Sequence, residues 1–244
     1  MLAKKSGCGL GTRKVLIMGH LEELLPLATA EIISPMAIAA IIAILLSPRA
    51  KKNGFAFAGA TFLTTAVIVL IATFTTKGAG SDGSSHDDTI VLVLAAVLGI
   101  LFTVLAIMSW HGRPKRGAVA KEPGWLAAVD SLQVGKAFAL GLLMAATNSK
   151  NLPIDLKAGA LIGAGGLELP LSIGLGLLFA LVASLGVLLP TVLAATGSPT
   201  IARYLGEMKA ELIAHNAVIM TVLFAMLAAT EFAHVISVVS GGAF

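Results

Sequence analysis

Three stretches of this chain, 54–76, 89–110 and 169–202, contain no Asp, Glu, Lys or Arg. Each exceeds the roughly 20 apolar residues that a helix needs to cross a hydrocarbon core about 30 Å thick. A fourth run, 24–46, carries one charge, Glu31. A fifth, 134–164, is interrupted around 148–153, and a sixth, 212–238, carries His215, Glu231 and His234. The run 169–202 is long enough to include a loop after Pro190. With 57% hydrophobic and 12% charged residues among 244, and a mean hydropathy of +0.94, the chain has more apolar surface than a soluble fold can cover. It reads as an all-α polytopic membrane protein with six transmembrane helices.

The polar stretch 111–124 divides these helices into three and three. Four units follow: an N-terminal tail, 1–20; a first three-helix repeat, 21–110; a basic linker, 111–133; and a second three-helix repeat, 134–244. An odd number of spans per half forces the halves to run in opposite directions, the geometry of an inverted repeat. An offset of 114 residues brings Ser34 onto Asn148 and Ala30 onto Met144. Nine Lys and Arg gather in the loops after spans one, three and five, against three after spans two and four. The positive-inside rule then puts the first set in the cytoplasm and both termini outside. The tail's Lys4, Lys5, Arg13 and Lys14 oppose this orientation, and translation from Met18 would leave them out. The tail has neither the apolar region nor the cleavage site of a signal peptide.

Two of the apolar segments are broken in corresponding places. One reads Ala30-Glu31-Ile32-Ile33-Ser34-Pro35 and the other Thr147-Asn148-Ser149-Lys150-Asn151-Leu152-Pro153. Proline removes a backbone donor and crowds the preceding turn. The groups this frees are tolerated at membrane depth only where protein or a polar cavity serves them, so the first and fourth helices are expected to be broken and to line a substrate site. A carboxylate in hydrocarbon faces a bundle interior or carries a proton. Glu31 is therefore a candidate for proton coupling or substrate contact; the structural alternative is an uncharged Glu bonded to a neighbouring helix.

Asn148, Ser149 and Asn151 supply amides and a hydroxyl for the freed backbone groups. Lys150 can pair with Glu31, attract an anionic head group, or snorkel to water from a helix end. Asp155 and Lys157 are expected to mark the surface. Glu231 and His234 lie three residues apart, on one helix face, and could relay protons; alternatively the sixth span ends near Thr230 and both are interfacial. The binding candidates are thus Glu31, Ser34, Pro35, Asn148, Ser149, Lys150, Asn151, Pro153 and Glu231.

Several functions are disfavoured. The single cysteine, Cys8, cannot form an internal disulfide. Ser85-His86-Asp87-Asp88 has metal-binding residue types but no second cluster to complete a set of about four ligands. Gly163-Ala164-Gly165-Gly166 follows no strand, so it is no phosphate cradle. Neither a P-loop nor a hydrolase triad is present, so no enzyme, metal or cofactor is expected. The net charge of +4 sits in loops with no aromatic interleaving, so no nucleic-acid partner is expected either.

Residues 23–54 contain Leu24-Leu25-Pro26-Leu27, Ser34-Pro35, Ile38-Ala39-Ala40, Leu45-Leu46-Ser47-Pro48-Arg49-Ala50 and Asn53-Gly54. This pattern resembles the first-span signature of the GAP family, the peptidoglycolipid- or sulfolipid-addressing proteins (Sap/SfLAP-like) of the LysE exporter superfamily. The element at 148–153 resembles that superfamily's second break, usually Asn-Pro-Lys; here Ser149 stands in place of the proline, which comes later at Pro153. The resemblance spans 21–239. It implies a six-span inverted-repeat carrier of actinobacterial envelopes that moves a lipid or glycolipid, with protons as the coupling ion, in the cytoplasmic (inner) membrane. Export of a small polar solute, such as a cationic amino acid, is the same-class alternative. A non-transporting accessory subunit of a lipid-export complex is the other. Expected partners are the lipid, the membrane, and a second copy or the lipid-export machinery.

Overall fold

The computed structural model describes residues 22–79, 85–113, 129, 131–148 and 150–240. The described residues are helical, with no strand among them. In chain order the helices are α1 (Leu24–Ile32), α2 (Pro35–Leu45), α3 (Ala50–Ala79), α4 (Ser85–His111), α5 (Val134–Ala146), α6 (Asn151–Ala164), α7 (Leu169–Ala183), α8 (Leu185–Ala194) and α9 (Pro199–Val239).

Among the described residues, three helices are long and apolar enough to cross a membrane: α3, α4 and α9. Two bent pairs raise the number to five: α1 with α2, at 46°, and α7 with α8, at 58°. The expected span 134–164, fourth in chain order, does not meet that test. It consists of α5, only 13 residues long, and α6, whose interior carries Asp155 and Lys157. The loop expected after Pro190 lies at 195–198, between α8 and α9, with Gly197 at φ +72°. Pro190 itself sits inside α8, and the bend at Ser184 is an additional one.

α6 is the central helix. It packs against α1, α3, α4, α5 and α7, and Asn151, Pro153, Ile154, Asp155 and Lys157 are all buried in its first two turns. In lipid, helix association relies on close backbone approach and van der Waals packing, which small residues permit. Gly159 provides it here: a Cβ at that position would collide with the Val69 carbonyl of α3. Gly166, with φ +61°, ends the helix in the left-handed conformation that glycine adopts without penalty.

Phe102 of α4 and Phe224 of α9 stack with ring centroids 6.1 Å apart and pack with Leu98, Ile154, Leu161 and Phe179. A second apolar cluster joins Ile41, Ile42 and Ile44 of α2 to Phe57, Val187 and Leu205. The outward faces of α3, α4 and α9 carry exposed Ile71, Ile100, Met108 and Met226, as expected of surfaces solvated by acyl chains. Two partly buried polar ties close the ends of α3. The Asn53 amide donates to the Leu132 carbonyl at 2.8 Å. The Lys77 ammonium donates to the Leu167 carbonyl and to Ser172 Oγ at 3.1 Å.

Candidate functional site at the meeting of two helix breaks

The two breaks touch. α1 stops at Ile32 because Ser34 precedes a proline, which pushes it into extended backbone, at φ −118° and ψ 90°. Pro35 then opens α2 at the first helical position, where a missing N–H costs nothing. In a continuous helix Ser34 N–H would serve the Ala30 carbonyl; here it donates to Ile32 O at 3.0 Å. The Ala30 carbonyl is left over, and the Lys150 ammonium donates to it at 2.6 Å. The lysine of the second break thus satisfies the backbone of the first.

Asn148 holds the other side. Its Nδ2 donates to Ser34 Oγ at 3.2 Å. Its Oδ1 accepts from the backbone N–H of Lys150 at 3.1 Å and of Asn151 at 3.4 Å, which serves the orphan donors at the start of α6. Pro153 fits without loss in the first turn of α6, where N–H groups lack intrahelical partners. Gly186 of α8 presses against the first break; a Cβ there would collide with the Ile32 carbonyl. Ser149 lies outside the described residues.

Three ionisable side chains converge beside this junction. Glu31 is 3% exposed, Lys150 0% and Asp155 1%. Thr65 of α3 donates to Glu31 Oε1 at 3.4 Å, and the Glu31 and Asp155 carboxyls lie within hydrogen-bonding reach of each other. Three buried oxygens in this group have no donor: Glu31 Oε2, Asp155 Oδ1 and Asn151 Oδ1. Two sequence expectations need correction here. Lys150 does not snorkel, since a carbonyl freed by the break binds it inside the bundle. Asp155 is no surface residue, because it lies on the face of α6 that packs inside the bundle.

A second polar cluster lies along α6 and α1. Lys157, also expected at the surface, is buried. Its Nζ lies 2.7 Å and 2.8 Å from the two carboxylate oxygens of Glu231 and 3.0 Å from Glu23 Oε2. His234 Nδ1 lies 3.2 Å from Glu23 Oε1. Glu231 and His234 therefore share a face as expected, but each bonds a different partner. α9 continues as a helix past Thr230 to Val239, and Glu231 is fully buried. Burial alone would raise the Glu23 carboxyl; the hydrogen bond to His234 and the Lys157 ammonium hold it well below the usual carboxylate range. A cavity of about 730 Å³ opens between α1 and α9 beside this cluster. The side chains of Ser85, His86, Asp87 and Asp88 lie outside the description.

Sequence reasoning missed Glu23, Thr65, Asp155 and Lys157 as site residues. A signal for two of them existed: Asp155 falls one helical turn after Asn151, and Lys157 two turns after Lys150. Small, apolar sequence surrounds both, where a charge needs a buried partner.

Long apolar helices, broken spans and ionisable groups buried between them define a multi-pass helical membrane protein. The chain belongs to the family described as Sap, sulfolipid-1-addressing protein, whose model matches residues 24–237. No curated protein and no solved structure matches it.

Proposed function

We propose that the chain is a LysE-superfamily-type carrier that moves a lipid or glycolipid of the cell envelope across the cytoplasmic membrane, coupled to protons. The carrying observation is the Asn148–Ser34 contact between two broken helices, set beside the buried Glu31–Asp155–Lys150 group. Discontinuous helices meeting in the membrane interior are where carriers of several folds place their sites. The sulfolipid-addressing name of the family favours a lipid cargo; the head group this chain takes is a separate matter, set by its own lining residues. In this reading α5 and α6 together make the fourth crossing, and the α4–α9 pairing relates the third helix of one repeat to the third helix of the other.

The proposed coupling follows from charge. Two carboxyls face one ammonium, so one proton held between the carboxyls leaves the group neutral. Loss of that proton leaves one negative charge in a medium where an uncompensated charge costs several kcal/mol, on the order of the translocon-measured 2.5–3.5 kcal/mol. Lys150 is then drawn from the Ala30 carbonyl toward the carboxylates, which loosens the junction of the two breaks. The proton and the access state change together.

Reconstituted protein in liposomes with an imposed pH gradient tests this reading, with fluorescent glycolipids and labelled amino acids assayed side by side. Lipid movement that is abolished in Glu31→Gln is the expected result. Amino-acid flux without lipid movement sinks the lipid assignment, and flux of neither cargo favours an accessory subunit.

A further inference from the structure

The cavity between α1 and α9 has a shape and a charge pattern that the helix junction does not use. At about 730 Å³ it lies within the ≈ 300–1,000 Å³ of sites that hold small ligands. One wall is α1, from Glu23 to Ile33. At the helical rise this wall is roughly 15 Å long, about half of a ~30 Å hydrocarbon core, or one leaflet. Away from the charged end the wall residues are mostly apolar, and Leu25 and Met226 face outward, 72% and 63% exposed. The cavity therefore opens sideways onto the surface that meets acyl chains, so a lipid enters without leaving the bilayer.

Its polar end is the Glu23–Lys157–Glu231–His234 network, with the exposed Glu22 at the mouth. Among the described lining residues the cations are Lys157 and His234, and carboxylates already hold both: Lys157 between Glu231 and Glu23, His234 on Glu23. Among the described residues an anionic head group finds no unpaired cation in the lining and faces Glu22. A hydroxyl-bearing head group finds carboxylate acceptors instead, and it donates to them without adding charge.

We propose that this cleft holds one acyl chain of a membrane lipid whose uncharged, hydroxyl-bearing head group sits against Glu22 and the Glu23–Lys157–Glu231–His234 network. The inference names a substrate class and rests on the carrier reading only for its place in transport; binding itself is measured separately.

The test uses the full chain in phosphatidylcholine nanodiscs. The probes are a fluorescent monoglucosyl diacylglycerol and the same lipid with a sulfate ester on its sugar. The neutral lipid is expected to bind saturably and about tenfold or more tightly than the sulfated one. Met226→Trp and Leu25→Trp place a ring in the cleft from exposed positions and are expected to weaken both lipids about tenfold. Glu22→Lys, an exposed change outside the buried network, is expected to narrow the preference for the neutral lipid. Equal or tighter binding of the sulfated lipid overturns the proposal, as does wild-type affinity in both Trp variants. Selective, saturable binding by a protein that moves no lipid supports the cleft and overturns the carrier reading. Lipid movement without saturable binding does the reverse.

Discussion

Asn148 Nδ2 donates to Ser34 Oγ across 3.2 Å, between residues separated by 114 positions in the chain. That separation equals the offset at which the two halves of the sequence align, so corresponding points of the two halves meet in space. The bond is partly buried, and a neutral hydrogen bond of this kind contributes about 0.5–1.5 kcal/mol. Ser34→Ala and Asn148→Ala should each destabilise the protein. Asn148→Ala should cost more, because it also uncaps α6. Thermal unfolding in detergent of both variants and the double variant should give a coupling energy of about 0.5 kcal/mol or more; strict additivity would show that the bond carries no weight.

Lys150 serves the Ala30 carbonyl that the break sets free. Lys150→Met keeps the stem and removes the donor, leaving a buried acceptor alone at about 1–3 kcal/mol. A lower unfolding temperature is expected. Lys150→Arg should not restore it, since a planar guanidinium needs more room than a compact ammonium.

Lys157 binds two carboxylates, Glu231 and Glu23. Removing one partner of a buried ion pair costs about 3–5 kcal/mol, whereas apolar replacement of both is often neutral. Lys157→Met should therefore be severely destabilising and Glu231→Leu likewise. The double variant Lys157→Met/Glu231→Leu should recover much of the loss, and unfolding midpoints of the three proteins measure it.

Gly186 lets α8 approach the Ile32 carbonyl. Gly186→Ala forces a backbone shift at the first break, at a cost of about 1–3 kcal/mol for overpacking. Gly135→Ala, where a Cβ meets open space, should be neutral or slightly stabilising by comparison. Equal unfolding temperatures for the two variants would contradict the close approach.

The class and the places of both breaks are legible in the residues alone. Uncharged runs longer than a bilayer is thick have few alternatives to membrane helices, and Ser34-Pro35 and 147–153 disturb such runs by rules local to the backbone. Glu31 was legible for the same reason, since a charge in an apolar run is conspicuous wherever the run goes. Only the tertiary structure decided the partners. That Lys150 turns to Ala30, that Lys157 joins α6 to α1 and α9, and that Asp155 is enclosed with Glu31 all depend on α6 lying at the centre of the bundle. Hydropathy cannot report this, because lipid and protein interior are equally apolar. A helix such as α6, rich in small residues and bearing two charges, reads as peripheral until its neighbours are known; packing within the bundle buries both charges.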